Sequence, residues 1–311
     1  MSLFGGGTDF KSFYSQHGSL LIGSTIDKYS YMMGRIRPSL LTSESSFSYS
    51  KLEIFKSLDE IENPLIREVL RYSNMECCVD FHHFTDIPHR TGLGGSSSFA
   101  VGLLYLIKKL KGEPIDRTIL AQEAIYIERE ILKEAGGIQD QIWASFGGLN
   151  SIEIHKDGRF LVKPLPITQD FKKVFEDSFV LIYTNSQRKT DDSAKSYDGK
   201  EKTHIKEVAL QAYQAIINED IKETGRLLYE SWLSKTTISN HISSPKVDEI
   251  IKDVMSMKAY GSKLLGSGGG SGFICVMCDP IVKKKIIDKY KDSILEIKFD
   301  NEGVTEIYNG L

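Results

Sequence analysis

The sequence predicts a two-domain α+β protein, with a first domain over residues 1–190 and a second over 191–311. Three observations carry that expectation. A chain of 311 residues exceeds what one hydrophobic core usually organises. Short strand-like runs mingle with helical ones up to Tyr183, whereas long helical stretches take over beyond Asp191. Each part also carries its own loop of glycine and serine, at 88–98 and at 266–272.

The elements follow in order. After Gly5-Gly6-Gly7, the segment 8–17 opens on Thr8 as a capping residue, places Phe10, Phe13 and Tyr14 at helical spacing and stops at Gly18. Runs 19–26 and 29–35 flank the turn-prone Asp27-Lys28 pair and predict two strands, and 75–84 predicts a third. An apolar helical run, 99–110, ends near Gly112. Asp116 can cap the next helix, in which Leu120, Ala124, Ile127 and Ile131 recur at helical spacing and Gly136-Gly137 marks the end. Strand-like pieces at 148–154, 160–165 and 179–183 complete the first part. The helical stretches of the second part break near Asn218 and Pro245. Lys263-Leu264-Leu265, the loop 266–272, a strand at 273–278, a basic helix and two terminal strands close the chain.

The loop Pro88-His-Arg-Thr-Gly-Leu-Gly-Gly-Ser-Ser-Ser98 strips side-chain bulk from the backbone just ahead of a helix. Such a segment is suited to polyphosphate. Glycines let amides turn towards an anion, the helix N terminus adds partial positive charge, and serine hydroxyls can cap the helix, reach a phosphate oxygen or ligate magnesium. No lysine stands between Arg90 and Lys108, which excludes a Walker loop, and Ser97 occupies the place of the third glycine of a dinucleotide fingerprint.

Phosphoryl transfer also requires a metal ligand and a group that takes or orients the hydroxyl proton. Glu128, on the last turns of the helix capped by Asp116, and Asp140, in the tight segment Gly137-Ile-Gln-Asp-Gln141 just past its end, are the two acids whose settings suit these tasks. Arg188 and Lys189, after the strand at 179–183, offer cations to a phosphorylated substrate. Arg35, Arg37, His82, His83 and His89 are weaker candidates, and the histidines lack the acid or cysteine spacing of a metal set.

Bulk properties exclude other classes. Hydrophobic residues make up 41% and charged residues 26%, as in ordinary globular proteins. With 39 basic against 42 acidic residues the net charge is −3, so neither nucleic acid nor an anionic membrane is an expected partner. No run approaches the roughly 18 apolar residues of a membrane span and no signal peptide is present, so a cytoplasmic location is expected. Cys77, Cys78, Cys275 and Cys278 read as core residues.

Pro88, Gly92-Leu93-Gly94 and Ser96-Ser97 resemble the second motif of the GHMP kinases, and Gly266-Ser-Gly-Gly-Gly270 resembles the third. Gly5-Gly-Gly-Thr-Asp9, Thr25-Ile-Asp-Lys-Tyr29, Ile127-Glu-Arg129, Gly137-Ile-Gln-Asp-Gln141 and Phe146-Gly-Gly-Leu-Asn150 narrow the resemblance to the heptose 7-phosphate kinase branch. The resemblance implies an N-terminal domain like ribosomal protein S5 domain 2, a ferredoxin-like C-terminal domain, and ATP in the groove between them. It implies that Gly92, Leu93, Gly94, Gly95, Ser96, Ser97 and Ser98 wrap the ATP phosphates, and that Ser96, Ser97 and Glu128 hold Mg2+. Asp140 would be the base, and Gly7, Thr8, Asp9, Arg188, Lys189, Gly268, Gly269 and Gly270 would meet a sugar phosphate. The implied activity phosphorylates the anomeric hydroxyl of a heptose 7-phosphate on a route to nucleotide-activated heptose for surface polysaccharide; the alternatives are a kinase of the same fold acting on an unphosphorylated sugar such as fucose or galactose, and a non-catalytic sensor of sugar and ATP. Gly95 departs from the serine relatives often carry, and Ser271 is an addition to the third motif. Oligomeric state is left open, a homodimer included.

Overall fold

A computed structural model describes residues 1–38, 40, 44–75, 78–88, 91–185, 200–239, 241–266 and 268–310. In chain order the elements are β1 (Ser2–Phe4), α1 (Lys11–His17), β2 (Ser19–Ile26), β3 (Ser30–Ile36), β4 (Ser45–Ser48), β5 (Leu52–Phe55), α2 (Pro64–Tyr72) and β6 (Val79–Thr85). Next come α3 (Gly95–Leu110), α4 (Arg117–Tyr126), α5 (Gln139–Phe146), β7 (Leu149–Ile154), β8 (Phe160–Pro164), α6 (Gln169–Asp177) and β9 (Phe179–Tyr183). The chain continues with α7 (Lys200–Ile217), α8 (Ile221–Thr236), α9 (Pro245–Ser256), β10 (Gly261–Leu264), β11 (Phe273–Met277), α10 (Pro280–Tyr290), β12 (Ile294–Leu295) and β13 (Phe299–Asp300).

Local chemistry explains most of the boundaries. Asn63, Asp116, Asp220 and Ser244 each accept amide hydrogen bonds at the start of α2, α4, α8 and α9, and Pro64 and Pro245 enter the first turn, where no amide donor is missed. Gly18 ends α1 at φ 64°. That helix begins at Lys11 rather than Thr8, because the Thr8 hydroxyl and amide are both spent on the Gly5 carbonyl, at 2.7 and 3.0 Å. The helix capped by Asp116 likewise ends before Gly136. It widens into a π turn at Ile127–Ile131 and stops at Lys133, whose φ is 54°.

The chain forms two compact units. The first comprises 1–27, 90–93 and 148–301. It holds the antiparallel sheet β1-β2-β7-β8, with β13 pairing the end of β2, and a second antiparallel sheet, β10-β11-β9-β12. Val180, Ile182, Trp232, Val254, Ile274, Val276 and Cys278 belong to its core, α7 packs on β1 and β2, and α8 packs on β10. Lys263 of β10 is buried opposite Cys275, and its Nζ donates to the Leu3 carbonyl at 2.8 Å.

The second unit comprises 28–89, 94–147 and 302–311. Its sheet, β3-β6-β4-β5, is antiparallel except for the parallel pair β4 and β6. Phe47, Phe81, Phe99, Leu103 and Ile107 fill the core, with Ile66 and Val69 from α2. A Cβ on Gly34 would come within 2.2 Å of the Phe81 ring and 2.9 Å of Leu106, so only glycine lets α3 lie this close on β3.

Burial lowers the Lys263 amine from 10.5 to about 8, and burial pushes the thiols of Cys275 and Cys278 up to about 12. Above about pH 8 the unfolded chain keeps a proton that the folded amine has released, so stability rises with pH. Above about pH 9 the unfolded thiols ionise while the buried ones stay protonated, so it falls again. Urea unfolding should therefore show a maximum near pH 9, reached by a rise of about 1 kcal/mol, and Lys263→Met should lose that rise. A flat profile for the unsubstituted protein would remove Lys263 from the account.

Candidate active site

In the second unit the site is built on the N terminus of α3. Gly94 is its N-cap residue at φ 75°, and no side chain caps it. The first-turn amides of a 16-residue helix thus face outward with the positive end of its dipole, and Gly95 and Ser96 are exposed there. Ser97, one position further in, is buried.

Behind this helix end lies Glu128, only 1% exposed. Its Oε1 accepts from Ser96 Oγ at 3.2 Å and its Oε2 from Ser97 Oγ at 3.0 Å, with a further short bond from Gln141 Nε2. The π turn explains the burial, since a π turn re-aims side chains relative to a regular helix. All three hydrogen-bond donors to this carboxylate are neutral, and Gln141 Oε1 is buried with no hydrogen-bond partner. Carboxylate and hydroxyl oxygens are the hard donors magnesium takes, so these residues fit the ion. Among the described residues no cluster of three or more His, Cys, Asp and Glu forms.

Asp140 lies in the first turn of α5, and not in a loop as the glycines before it predict. A Cβ on Gly94 would stand 3.3 Å from its Cγ and 3.6 Å from its Oδ2. The carboxylate is thus set against the backbone at the head of α3. Arg129 secures the approach to α5, its Nε donating to the Gly137 carbonyl at 2.9 Å and its Nη1 to the Glu134 carbonyl at 3.3 Å.

The first unit carries the remaining loops. Gly5 and Gly7 sit at φ 79° and 100°, and buried Asp9 accepts from the Gly7 amide at 2.9 Å. Gly92 meets the third glycine loop directly, backbone on backbone. A Cβ on Gly92 would lie 2.7 Å from the Leu265 carbonyl oxygen, and one on Gly266 would lie 2.5 Å from Gly92 Cα. Gly268, Gly269 and Gly270 all have left-handed φ, and Ser244 Oγ donates to the Gly270 carbonyl at 3.2 Å. Lys235 of α8 donates to the Gly266 carbonyl.

Within the second unit, the structure therefore brings together Gly94, Ser96, Ser97, Glu128 and Asp140. Arg188, Lys189 and His89 lie outside the described residues. Arg35 and Arg37 both pair with Asp80, at 3.0 and 3.2 Å, and buried His83 bonds Ser30 at 2.8 Å, so these residues serve the β3-β6 sheet. Gln141, Arg129, Lys235 and Lys263 were not singled out by sequence reasoning. Gln141 and Arg129 left a trace, as members of the motifs that hold Asp140 and Glu128. A cavity of about 460 Å³ beside Trp232, Asp248 and Lys252 includes none of the site residues.

Comparison with known proteins follows the same lines. Residues 59–148 match the GHMP kinases N terminal domain and residues 212–294 the GHMP kinases C terminal domain. A D-glycero-alpha-D-manno-heptose 7-phosphate kinase from Campylobacter jejuni is 30% identical over 98% of this chain and 95% of its own. A D-glycero-D-manno-heptose 1-phosphate kinase from Bacteroides thetaiotaomicron superposes with a TM-score of 0.80 at 24% identity, covering 99% of this chain and 97% of that one. A crystal structure described as a putative sugar kinase from Campylobacter jejuni gives a TM-score of 0.77 at 26% identity, over 98% and 94% of the two chains.

Gly266→Ala should destabilise the protein by at least about 2 kcal/mol, because its Cβ has backbone on the far side and nowhere to go. Gly95→Ala, whose Cβ would meet nothing within 4 Å, should stay within about 0.5 kcal/mol of the unsubstituted protein. Urea denaturation of the two variants side by side checks the contrast.

Proposed function

This chain belongs to the GHMP kinase family and is an ATP-dependent sugar phosphotransferase with that family's two-domain α+β fold; from that premise we propose that its acceptor is D-glycero-D-manno-heptose 7-phosphate. The γ-phosphoryl group of ATP would pass to the anomeric hydroxyl, giving ADP and the heptose 1,7-bisphosphate. Identity of 30% along 98% of the chain to a heptose 7-phosphate kinase supports the choice of acceptor.

One observation carries the chemistry. An uncapped helix N terminus, a buried carboxylate with neutral partners and a second carboxylate against Gly94 occur in one unit. In this reading the segment Gly92, Leu93, Gly94, Gly95, Ser96, Ser97 and Ser98 binds the ATP phosphates through its amides. Ser96, Ser97 and Glu128 hold Mg2+, which when bound neutralises charge on the transferring phosphoryl group. Asp140 takes the proton of the acceptor hydroxyl as its oxygen forms the new bond to phosphorus, and the bond to the ADP oxygen breaks. Gly7, Thr8 and Asp9 fix the sugar, a carboxylate being able to accept two hydroxyl hydrogens at once, and Gly268, Gly269 and Gly270 admit it closely. Arg188 and Lys189 take the distal phosphate.

Asp140→Asn keeps the shape of the side chain and loses its basicity, so turnover should fall at least about 10²-fold while ATP affinity stays within about threefold. Unchanged turnover would remove Asp140 from the mechanism. Glu128→Gln should raise the magnesium concentration needed for half-maximal rate at least about tenfold. In a coupled ADP-release assay, D-glycero-D-manno-heptose 7-phosphate should exceed the unphosphorylated heptose in kcat/KM by at least about 10²-fold. Equal rates would transfer the assignment to an unphosphorylated sugar.

A further inference from the structure

The loop at 5–9 and the glycine loop at 266–272 grow from the ends of β1 and β10, two strands that belong to different sheets and share no ladder. A side chain joins them. Lys263 lies in β10 three residues ahead of Gly266, and its Nζ donates at 2.8 Å to the carbonyl of Leu3, two residues ahead of Gly5. The amine is 5% exposed and faces Cys275 across the β10-β11 pair.

A buried amine without a carboxylate is an unfavourable way to fill space. Leucine or methionine would occupy the volume without desolvating a charge. What the lysine adds is reach, since its four-carbon stem spans from one sheet to the backbone of the other and ends in a directional bond. Lys235 braces the same loop from α8, which packs on both β10 and β1, by donating to the Gly266 carbonyl.

We infer that Lys263 is a positioning residue for the sugar substrate, whose bond to the Leu3 carbonyl fixes the spacing of β1 and β10 so that the Asp9 loop and the 266–272 loop are presented together. The inference rests on the assignment of Asp9 and Gly268 to Gly270 to the sugar. Lys263 itself touches neither substrate. Its removal acts first through the two loops; of the ATP-facing groups, Ser96, Ser97 and Glu128 belong to the other unit, whereas Gly92 meets Gly266 directly.

Lys263→Met keeps an unbranched apolar stem, one atom shorter, and removes the donor. The expected result is a KM for heptose 7-phosphate raised at least about tenfold, with KM for ATP within about twofold and kcat at saturating sugar within about threefold. A lowered melting temperature with an unchanged sugar KM would show a merely structural lysine and overturn the inference. Asp9→Asn, assayed beside it, separates the inference from its premise. If Asp9→Asn weakens the sugar and Lys263→Met does not, the brace alone is wrong; if Asp9→Asn binds sugar normally, the loop assignment falls and the brace with it. Should Lys263→Met not fold, amide hydrogen exchange of the unsubstituted enzyme decides. Heptose 7-phosphate should slow exchange in 5–9 and in 264–272 at the same ligand concentration, and protection of one loop without the other overturns the proposal.

Discussion

A carboxylate withdrawn from water has to be met by something, and Glu128 sets that demand at the centre of the second unit. Two serines from the head of α3 and a glutamine from α5 converge on it, so three separate elements are held by one group. Gln141 follows Asp140 directly, and the turn that satisfies the buried acid therefore also aims the neighbouring one. Removing any of these donors would leave a charge in the interior with fewer partners, which is the expensive way to lose a hydrogen bond. The same shortage of positive charge makes the place receptive to a cation.

Most of what positions this cluster was legible where the signal is local. The runs 19–26 and 179–183 are strands with the bounds their apolar content predicts, Asp116 caps α4, and Gly18 ends α1. The glycine-serine loop announced itself by composition. What stayed hidden depends on partners far along the chain. Ser45–Ser48 was not singled out in the sequence and is a strand because β6 pairs with it in parallel. α5 is eight residues long between two glycine pairs, too short for its period to stand out, so Asp140 looks like a loop residue. Lys263 reads as any solvated lysine, since nothing local distinguishes an amine that points to water from one that points into a core.

The glycine loops illustrate a different economy. Where Gly92 meets Gly266, and where Gly272 stands 2.5 Å, by its missing Cβ, from the Thr91 carbonyl oxygen, the contact is made by main chain alone. Such a junction has no side chains to repack, so it tolerates little substitution, but it places rows of amides and carbonyls at fixed positions. The neighbouring anchors are lysines, whose ammonium groups bond carbonyls.

The pairing of β13 with β2 has a bearing on how the molecule is made. Phe299 and Asp300 lie beside Ile26 and Thr25, and the Thr25 hydroxyl donates to the Asp300 carbonyl at 2.7 Å, a closure spanning 275 positions. On the ribosome, the stretch 19–24 of this strand meets β7 about halfway through synthesis, and only its end, Thr25 and Ile26, waits for nearly the whole chain before its edge is covered. The last pairing of the sheet therefore closes only when the C-terminal strand is made, so folding of this unit is completed late in synthesis.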